Sequence, residues 1–265
     1  YLLGGEPVEA SKRVQRSFEE EGINVVCDAD LTRFDGDTAY VTTNEGEATY
    51  TFNKALLATG RTPNTDGIGL ATAGVECDEE GYPVHDDYLQ TTNQRVYVAG
   101  DLTGSYQFSH AAEHEASNIV KNLVLPFSSR ISYNHMSHIT YTDPAVASFG
   151  SSRQDLDRNG VRYDTIPVDF DHADKAVINS DEGWGEYYVT GRTFRGGVVV
   201  SEDAQHIVQD LILAQSADVK TTELVQKIYP YPTIESVSKQ SVLKHLQRWI
   251  GSMTQQLIRF SYRYL

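Results

Sequence analysis

The sequence predicts two fold classes in one chain: α/β over the first part and α+β over the second. Helix and strand patterns alternate as far as residue 124, the signature of strands covered by helices. After "LPFSSRISYNHMSHI", residues 125–139, which reads as a linker, short strands are followed by runs of helix. No internal repeat or low-complexity tract is present, so neither part is a repeat array.

The elements follow in order. "PVEASKRVQRSFEEEG" reads as a helix with Pro7 at its start, Gly22 as its stop, and Val14 and Phe18 on an apolar stripe. "INVVCD", residues 23–28, reads as a buried strand. "TAYVTT" and "ATYTF" alternate around "NEGE" and predict a hairpin. "KALLATG", residues 54–60, reads as a short apolar strand ending in Gly60. Residues 61–94 are rich in Gly, Pro, Asn and Asp, which is turn chemistry carrying the chain across a surface. "RVYVAGD", residues 95–101, predicts a strand. A helix is expected over Ser109 to Val124, with Ala112, Ala116, Ile119, Val120 and Leu123 on its apolar face. Beyond the linker, "RYDTIPVDF", "GEYYVTG" and "GGVVVS" are strand candidates, and "SRQDLDRNG", "DAQHIVQDLILAQ" and "TTELVQKI" are helix candidates. Leu243, Leu246, Ile250, Met253 and Leu257 form a narrow seam on a last helix, suited to packing against another helix.

Composition narrows the function classes. The chain has 265 residues, 40% of them hydrophobic, enough for one large core or two ordinary ones. Its net charge of −15 argues against nonspecific nucleic-acid binding, which needs Lys and Arg against phosphate. Five basic residues and no acidic ones fall between Ser236 and Leu265, so the rest is more acidic still. No apolar run is long enough to span a bilayer and no secretory signal is visible, so neither stable membrane insertion nor export is expected. The two cysteines, Cys27 and Cys77, are too few for a disulfide scaffold or an all-Cys zinc site; each is expected to be a small buried side chain in a reducing, cytoplasmic setting.

Three segments carry candidate chemistry. In "VYVAGDLTGSYQFSH" an apolar run ends at Gly100-Asp101 just before a helix. In open α/β sheets ligands sit at the carboxyl ends of strands, where a carboxylate accepts hydrogen bonds from polyol hydroxyls and helix N–H groups favour an electron-rich oxygen. The ordinary alternative is a strand-ending turn with a solvated Asp. "HAAEH", His110 to His114, fits H-x-x-E-H, a zinc-hydrolase pattern with Glu113 as base, but it lacks an evident third ligand; a solvated helix face is the alternative. "KIYPYPTIES" has two Tyr-Pro steps before an amphipathic helix. A loop so held would present Tyr231, a proton donor, and Glu235 beside it; the alternative is a structural aromatic turn.

Four segments, "LLATGRTPNT", "TTNQRVYVAGDLTGSYQFSHAAEHEA", "YTDPAVASFG" and "IYPYPTIE", together resemble the class I pyridine nucleotide-disulfide oxidoreductases, in that family's order and over nearly the whole chain. "ATGRTPNT", the "QF" after Gly-Asp, and "YPYPT" are most similar to the mercuric reductase-like branch. The resemblance implies a partial Rossmann-like FAD/NAD-binding domain followed by an α+β dimerisation domain. Residues 1–57 would be the C-terminal part of the NAD(P)-binding domain, 58–128 the return segment of the FAD-binding domain, and 129–265 the interface domain of a homodimer. Asp101, after Gly100, falls where the family's acid contacts FAD. Gln107, Phe108, Ser109 and His110 fall where the chain passes the flavin, which removes His110 from zinc. Gly60 falls where the backbone approaches the nicotinamide nucleotide, and "YTDPAVASFG" matches the first interface strand. Tyr231 stands where disulfide reductases carry an acid–base His, as in the mercuric reductase-like branch. The family's Glu sits five residues further on; here Glu235 is four on and Ser236 five.

No G-x-G-x-x-G and no C-x-x-x-x-C pair occurs in the sequence, and Cys27 and Cys77 match no redox position of the family. The expectation is therefore the C-terminal part of an FAD-dependent NAD(P)H oxidoreductase that passes electrons to a disulfide, metal ion or other acceptor, and that holds no FAD on its own. A non-catalytic dimerisation or interaction module of the same ancestry is the alternative, and a zinc hydrolase through "HAAEH" a remote one.

Overall fold

The computed structural model describes residues 1–247, which form two compact units: residues 1–50 with 134 onward, and Thr51–Tyr133. Ile250, Met253 and Leu257 of the expected seam, and three of the five basic residues of the tail, lie outside the described residues.

The larger of the first unit's two sheets is five-stranded and antiparallel. Its strands are β4 Ser137–Thr140, β5 Ala145–Gly150, β6 Asp164–Pro167, β7 Trp184–Thr190 and β8 Thr193–Ser201, in the order β4-β5-β8-β7-β6. Both faces are covered, which explains the unbroken "VVV" of β8. Side chains alternate across a strand, so Val198 and Val200 face one layer and Val199 the other. Helix α1, Val8–Glu20, packs Ala10 and Val14 on Val146, Val198 and Val200. The opposite face meets α5 Ala204–Ile207, α6 Gln209–Ser216 and the helix at 236–247 through Ile207, Leu211, Val237 and Val242. Tyr187, buried between them, bonds its hydroxyl to Ser238 Oγ at 2.8 Å. The short helices α3 Arg153–Arg158, α4 Asp174–Asn179 and α7 Thr221–Leu224 fill the connections, α3 behind a Ser152–Asp155 capping box.

The sequence reading differs here in three places. β4 begins inside the stretch read as linker, so "YTDPAVASFG" supplies the second strand of the sheet and not the first. "DAQHIVQDLILAQ" forms two helices that meet at Val208, where Ile207, Val208 and Leu211 all turn inward. The hairpin forms as expected, β2 Thr38–Thr43 and β3 Gly46–Thr51 around Asn44-Glu45, but a third strand, β1 Ala29–Asp35, pairs with β2.

The 236–247 helix is tied to the sheet unit by Asp169. Its backbone N–H donates to Ser241 Oγ at 3.0 Å, and its carboxylate takes Lys244 and His172. The hydrogen bonds from Lys244 and then His172 hold the carboxyl below the ordinary 3.8. A depressed carboxylate pKa contributes stability that is full above the unfolded value and lost as pH falls through the folded one. Asp169→Asn is therefore expected to remove part of the acid sensitivity below about pH 4. Lys244 is half exposed, so the difference stays under about 1 kcal/mol. Urea midpoints at pH 7 and pH 3 check it; equal acid losses in the two proteins would remove Asp169 from the pH dependence.

The second unit is made mostly of turns. Asp78 Oδ1 accepts the N–H groups of Glu80 and Tyr82, and Asp86 Oδ1 those of Tyr88 and Gln90. Val75, Leu89 and Val98 form its small core with Ala111 of α2, Ser109–Val124. Three segments read as strands are not strands. Residues 95–101 make only a bridge between Gln90 and Tyr97 and a few bonds to residues 89–91. Residues 54–60 join no ladder, with Leu56 91% exposed. In the first unit, residues 23–28 behave alike, with Ile23 and Val26 exposed. An apolar run becomes a strand only when a neighbouring backbone takes its N–H and C=O groups, and no paired strand flanks these runs among the described residues. Cys27 is half-buried and Cys77 exposed, against the expectation of burial. Among the described residues no helix is long and apolar enough to cross a membrane.

Candidate functional site

The Gly100-Asp101 turn is the start of a 3-10 turn, Gly100–Thr103, held from behind by α2. Gly100 has φ +73°, and an added Cβ would stand 3.2 Å from Ala112 Cβ, so only glycine fits the conformation and the gap together. Its N–H donates to Glu115 Oε2 at 2.5 Å. Glu115 is fully buried, and it also accepts Tyr133 OH at 2.6 Å and Thr103 Oγ1 at 3.4 Å. One carboxylate thus joins the turn, the helix and residue 133. Burial, then the bond to Glu115, hold the Tyr133 phenol protonated well above its usual range.

Asp101, exposed on the other side of the turn, pairs with Arg61 at 2.9 Å. The same guanidinium donates to the Gln107 carbonyl at 3.2 Å, and Gln107 Nε2 lies 3.5 Å from Tyr82 OH. Arg61, Asn64, Tyr82, Asp101 and Gln107 line one hollow of about 460 Å³. The next residues lead into α2: Phe108 precedes its first turn and stacks on the His110 ring at 5.3 Å and 7°. Tyr106 stands 5.0 Å from the Tyr133 ring. Ser109 and His110 are exposed at the helix start. The structure therefore gathers Gly100, Asp101, Gln107, Phe108, Ser109 and His110 around one turn and helix entry. Gly60, next to Arg61, has φ +135° and open space where a side chain would stand.

The expected apolar face of α2 is not the buried one. Ala111 and Glu115 point inward, while Val120, Leu123 and Val124 are exposed. His114 Nε2 meets the Ser132 carbonyl at 3.0 Å, and no cluster of three metal-ligating groups exists among the described residues, so the zinc pattern has no third ligand there.

The second candidate site belongs to the other unit. Tyr231 is 78% exposed, and the Tyr231–Pro232 peptide is cis. Ile234 anchors the chain in the core, and half-buried Glu235 stands just before the helix at 236–247.

Five residues of these sites were not singled out by the sequence reading: Arg61, Tyr82, Thr103, Glu115 and Tyr133. Arg61 sat inside a quoted motif, and charge complementarity with Asp101 was the available signal. Glu115 had one too, as a carboxylate four residues after Ala111 on the inward face.

Two models of one family match the chain: pyridine nucleotide-disulphide oxidoreductase over residues 2–116, and the dimerisation domain of the same family over residues 136–242. The chain belongs to the pyridine nucleotide-disulphide oxidoreductase family. Among its relatives, mercuric reductase of Lysinibacillus sphaericus is 29% identical over 242 residues, covering 89% of this chain and 44% of that protein. Dihydrolipoyl dehydrogenase of Chlamydia muridarum is 27% identical, covering 89% and 51%. The fold matches LpdA from Mycobacterium tuberculosis with a TM-score of 0.80 at 23% identity, over 90% of this chain and 53% of that one. It also matches the HOCl-induced flavoprotein disulfide reductase RclA from Escherichia coli, in its Cu(II) complex, with a TM-score of 0.79 at 18% identity, over 91% and 55%. The chain spans about half the length of the curated relatives it matches.

Proposed function

We propose that this chain supplies one wall of the flavin site and the subunit interface of a homodimeric NAD(P)H-dependent flavoprotein oxidoreductase. The domains would be 1–57 toward NAD(P)H, 58–128 toward FAD, and 129–265 at the interface. The observation that carries the reading is the convergence of Arg61, Asp101 and Gln107 in one hollow beside the start of α2. These residues fit part of the cofactor. A half-exposed carboxylate suits polyol hydroxyls, and the open turn into α2 suits an electron-rich edge. They do not supply a diphosphate cradle, since no G-x-G-x-x-G occurs in the sequence.

FAD, when bound, supplies the chemistry: it takes a hydride from NAD(P)H and passes electrons to a disulfide, metal ion or other acceptor. Asp101 would accept hydrogen bonds from the cofactor's hydroxyls while Arg61 holds its orientation. Gln107, Phe108, Ser109 and His110 would border the flavin. Gly60 would leave the backbone open to the nicotinamide nucleotide. Tyr231, with Glu235 behind it, would donate a proton or hold the acceptor from the partner subunit's side. A Tyr does not titrate near neutral pH as a His does, which argues against the usual thiol–disulfide acid–base role.

In the full-length enzyme that would contain this chain, Asp101→Ala is expected to weaken FAD binding about tenfold, the worth of one charge-assisted hydrogen bond. Fluorescence titration of the apoprotein with FAD reads this directly. Unchanged affinity in a folded variant would remove Asp101 from the cofactor site and the main support for the reading.

A further inference from the structure

The Tyr231 segment is fastened at two points just before it. Tyr229 OH donates to Asp210 Oδ2 on α6 at 2.7 Å, and Lys227 Nζ pairs with the same oxygen. The Lys227 ammonium lies 4.2 Å from the Tyr229 ring centroid. Lys239, from the 236–247 helix, donates to the Lys227 carbonyl at 2.6 Å and stands 6.0 Å from the same ring. Tyr229 is thus half-buried and Lys227 reaches Asp210 from the surface, while Ile228 and Tyr231 are 89% and 78% exposed. Asp210 is the common partner: it is half-buried, and one of its oxygens serves both side chains. Burial, with the bond to Asp210, keeps the Tyr229 phenol protonated, so it remains a donor across the physiological range.

We infer that Asp210 is a positioning residue: it fixes Tyr229 and Lys227 and thereby sets where Tyr231 stands. The inference rests on the proposed role of Tyr231. Without the Asp210 clamp, residues 228–233 keep their chemistry and lose their placement, and misplacing a reacting group by about 1 Å costs roughly a hundredfold in rate.

The test uses the flavin-loaded full-length enzyme that would contain this chain and four variants: Asp210→Ala, Asp210→Asn, Tyr231→Phe and the double variant Asp210→Ala/Tyr231→Phe. Tyr231→Phe is expected to lower kcat with little change in the KM for NAD(P)H. Asp210→Ala is expected to lower kcat at least tenfold, with Asp210→Asn partly restoring it because the amide oxygen still accepts from Tyr229. The double variant should be no slower than the slower single variant, since both changes act through one hydroxyl. Hydrogen exchange at residues 228–233 should run about tenfold faster in Asp210→Ala and be unaffected in Tyr231→Phe.

Wild-type kcat in Asp210→Ala beside a slow Tyr231→Phe overturns the positioning role alone, as do losses that multiply in the double variant. Wild-type kcat in Tyr231→Phe overturns the reading of Tyr231, and the inference with it. If Asp210→Ala fails to fold, Tyr229→Phe removes the same hydrogen bond while keeping the ring, and the same outcomes apply.

Discussion

Glu115→Ala is expected to destabilise the Thr51–Tyr133 unit by about 3–5 kcal/mol. The side chain is fully buried and accepts from Gly100 N–H, Thr103 and Tyr133 OH. Truncation strands those donors away from water and leaves a void where the carboxylate stood. Glu115→Gln keeps one acceptor oxygen but turns an NH₂ toward a donor, so about half the loss is expected. Denaturant unfolding gives the magnitude, and hydrogen exchange over residues 98–116 gives the location. A loss under about 0.5 kcal/mol would show that the turn is held by its own backbone bonds. The same variant also tests the site. Since Glu115 secures Gly100, the turn that presents Asp101 should loosen first.

Gly196→Ala is the second large effect, and it strikes the sheet. An added Cβ on Gly196 would lie 2.2 Å from Ser151 O and 2.7 Å from Phe149 O. Both are backbone atoms, so no side chain can swing aside, and β8 would have to part from β5. A loss of about 3 kcal/mol or more is expected, with much of the protein failing to fold at 37 °C. Gly5→Ala, where nothing lies within 4 Å, serves as the control and should change little. Thermal melts of the two variants side by side decide it; matching melts would mean that the β5–β8 pair can separate at small cost.

What the sequence disclosed followed from how local each signal is. Helix α2 was legible to its ends because period, small residues and flanking turn all lie within one segment. The β2–β3 hairpin was legible because its register is set by the two residues of its own turn. Residues 23–28 and 54–60 were misread because β-structure is a property of pairs. Their apolar composition described a neighbour that the ladder requires, and the described residues do not contain it. Glu115 and Arg61 were missed for a related reason. A buried carboxylate and a surface one look alike until the fold brings Gly100 to the first and Asp101 to the second. The turn chemistry of residues 61–94 was easier, because aspartates such as Asp78 and Asp86 bond the backbone only two and four residues on.

The packing of α1 on β5 and β8 has a consequence for how the chain is born. Arg13 on this helix donates to the Glu182 carbonyl, 169 positions later. At roughly 5–20 residues per second, a ribosome needs about 8–34 s to cover that distance. Throughout that interval Ala10 and Val14 have no sheet to rest on, whereas the turns of residues 51–133 can close as they emerge. Within this chain, α1 is therefore made well before the sheet that it packs on, and a chaperone that binds the emerging helix would find it bare for that whole time.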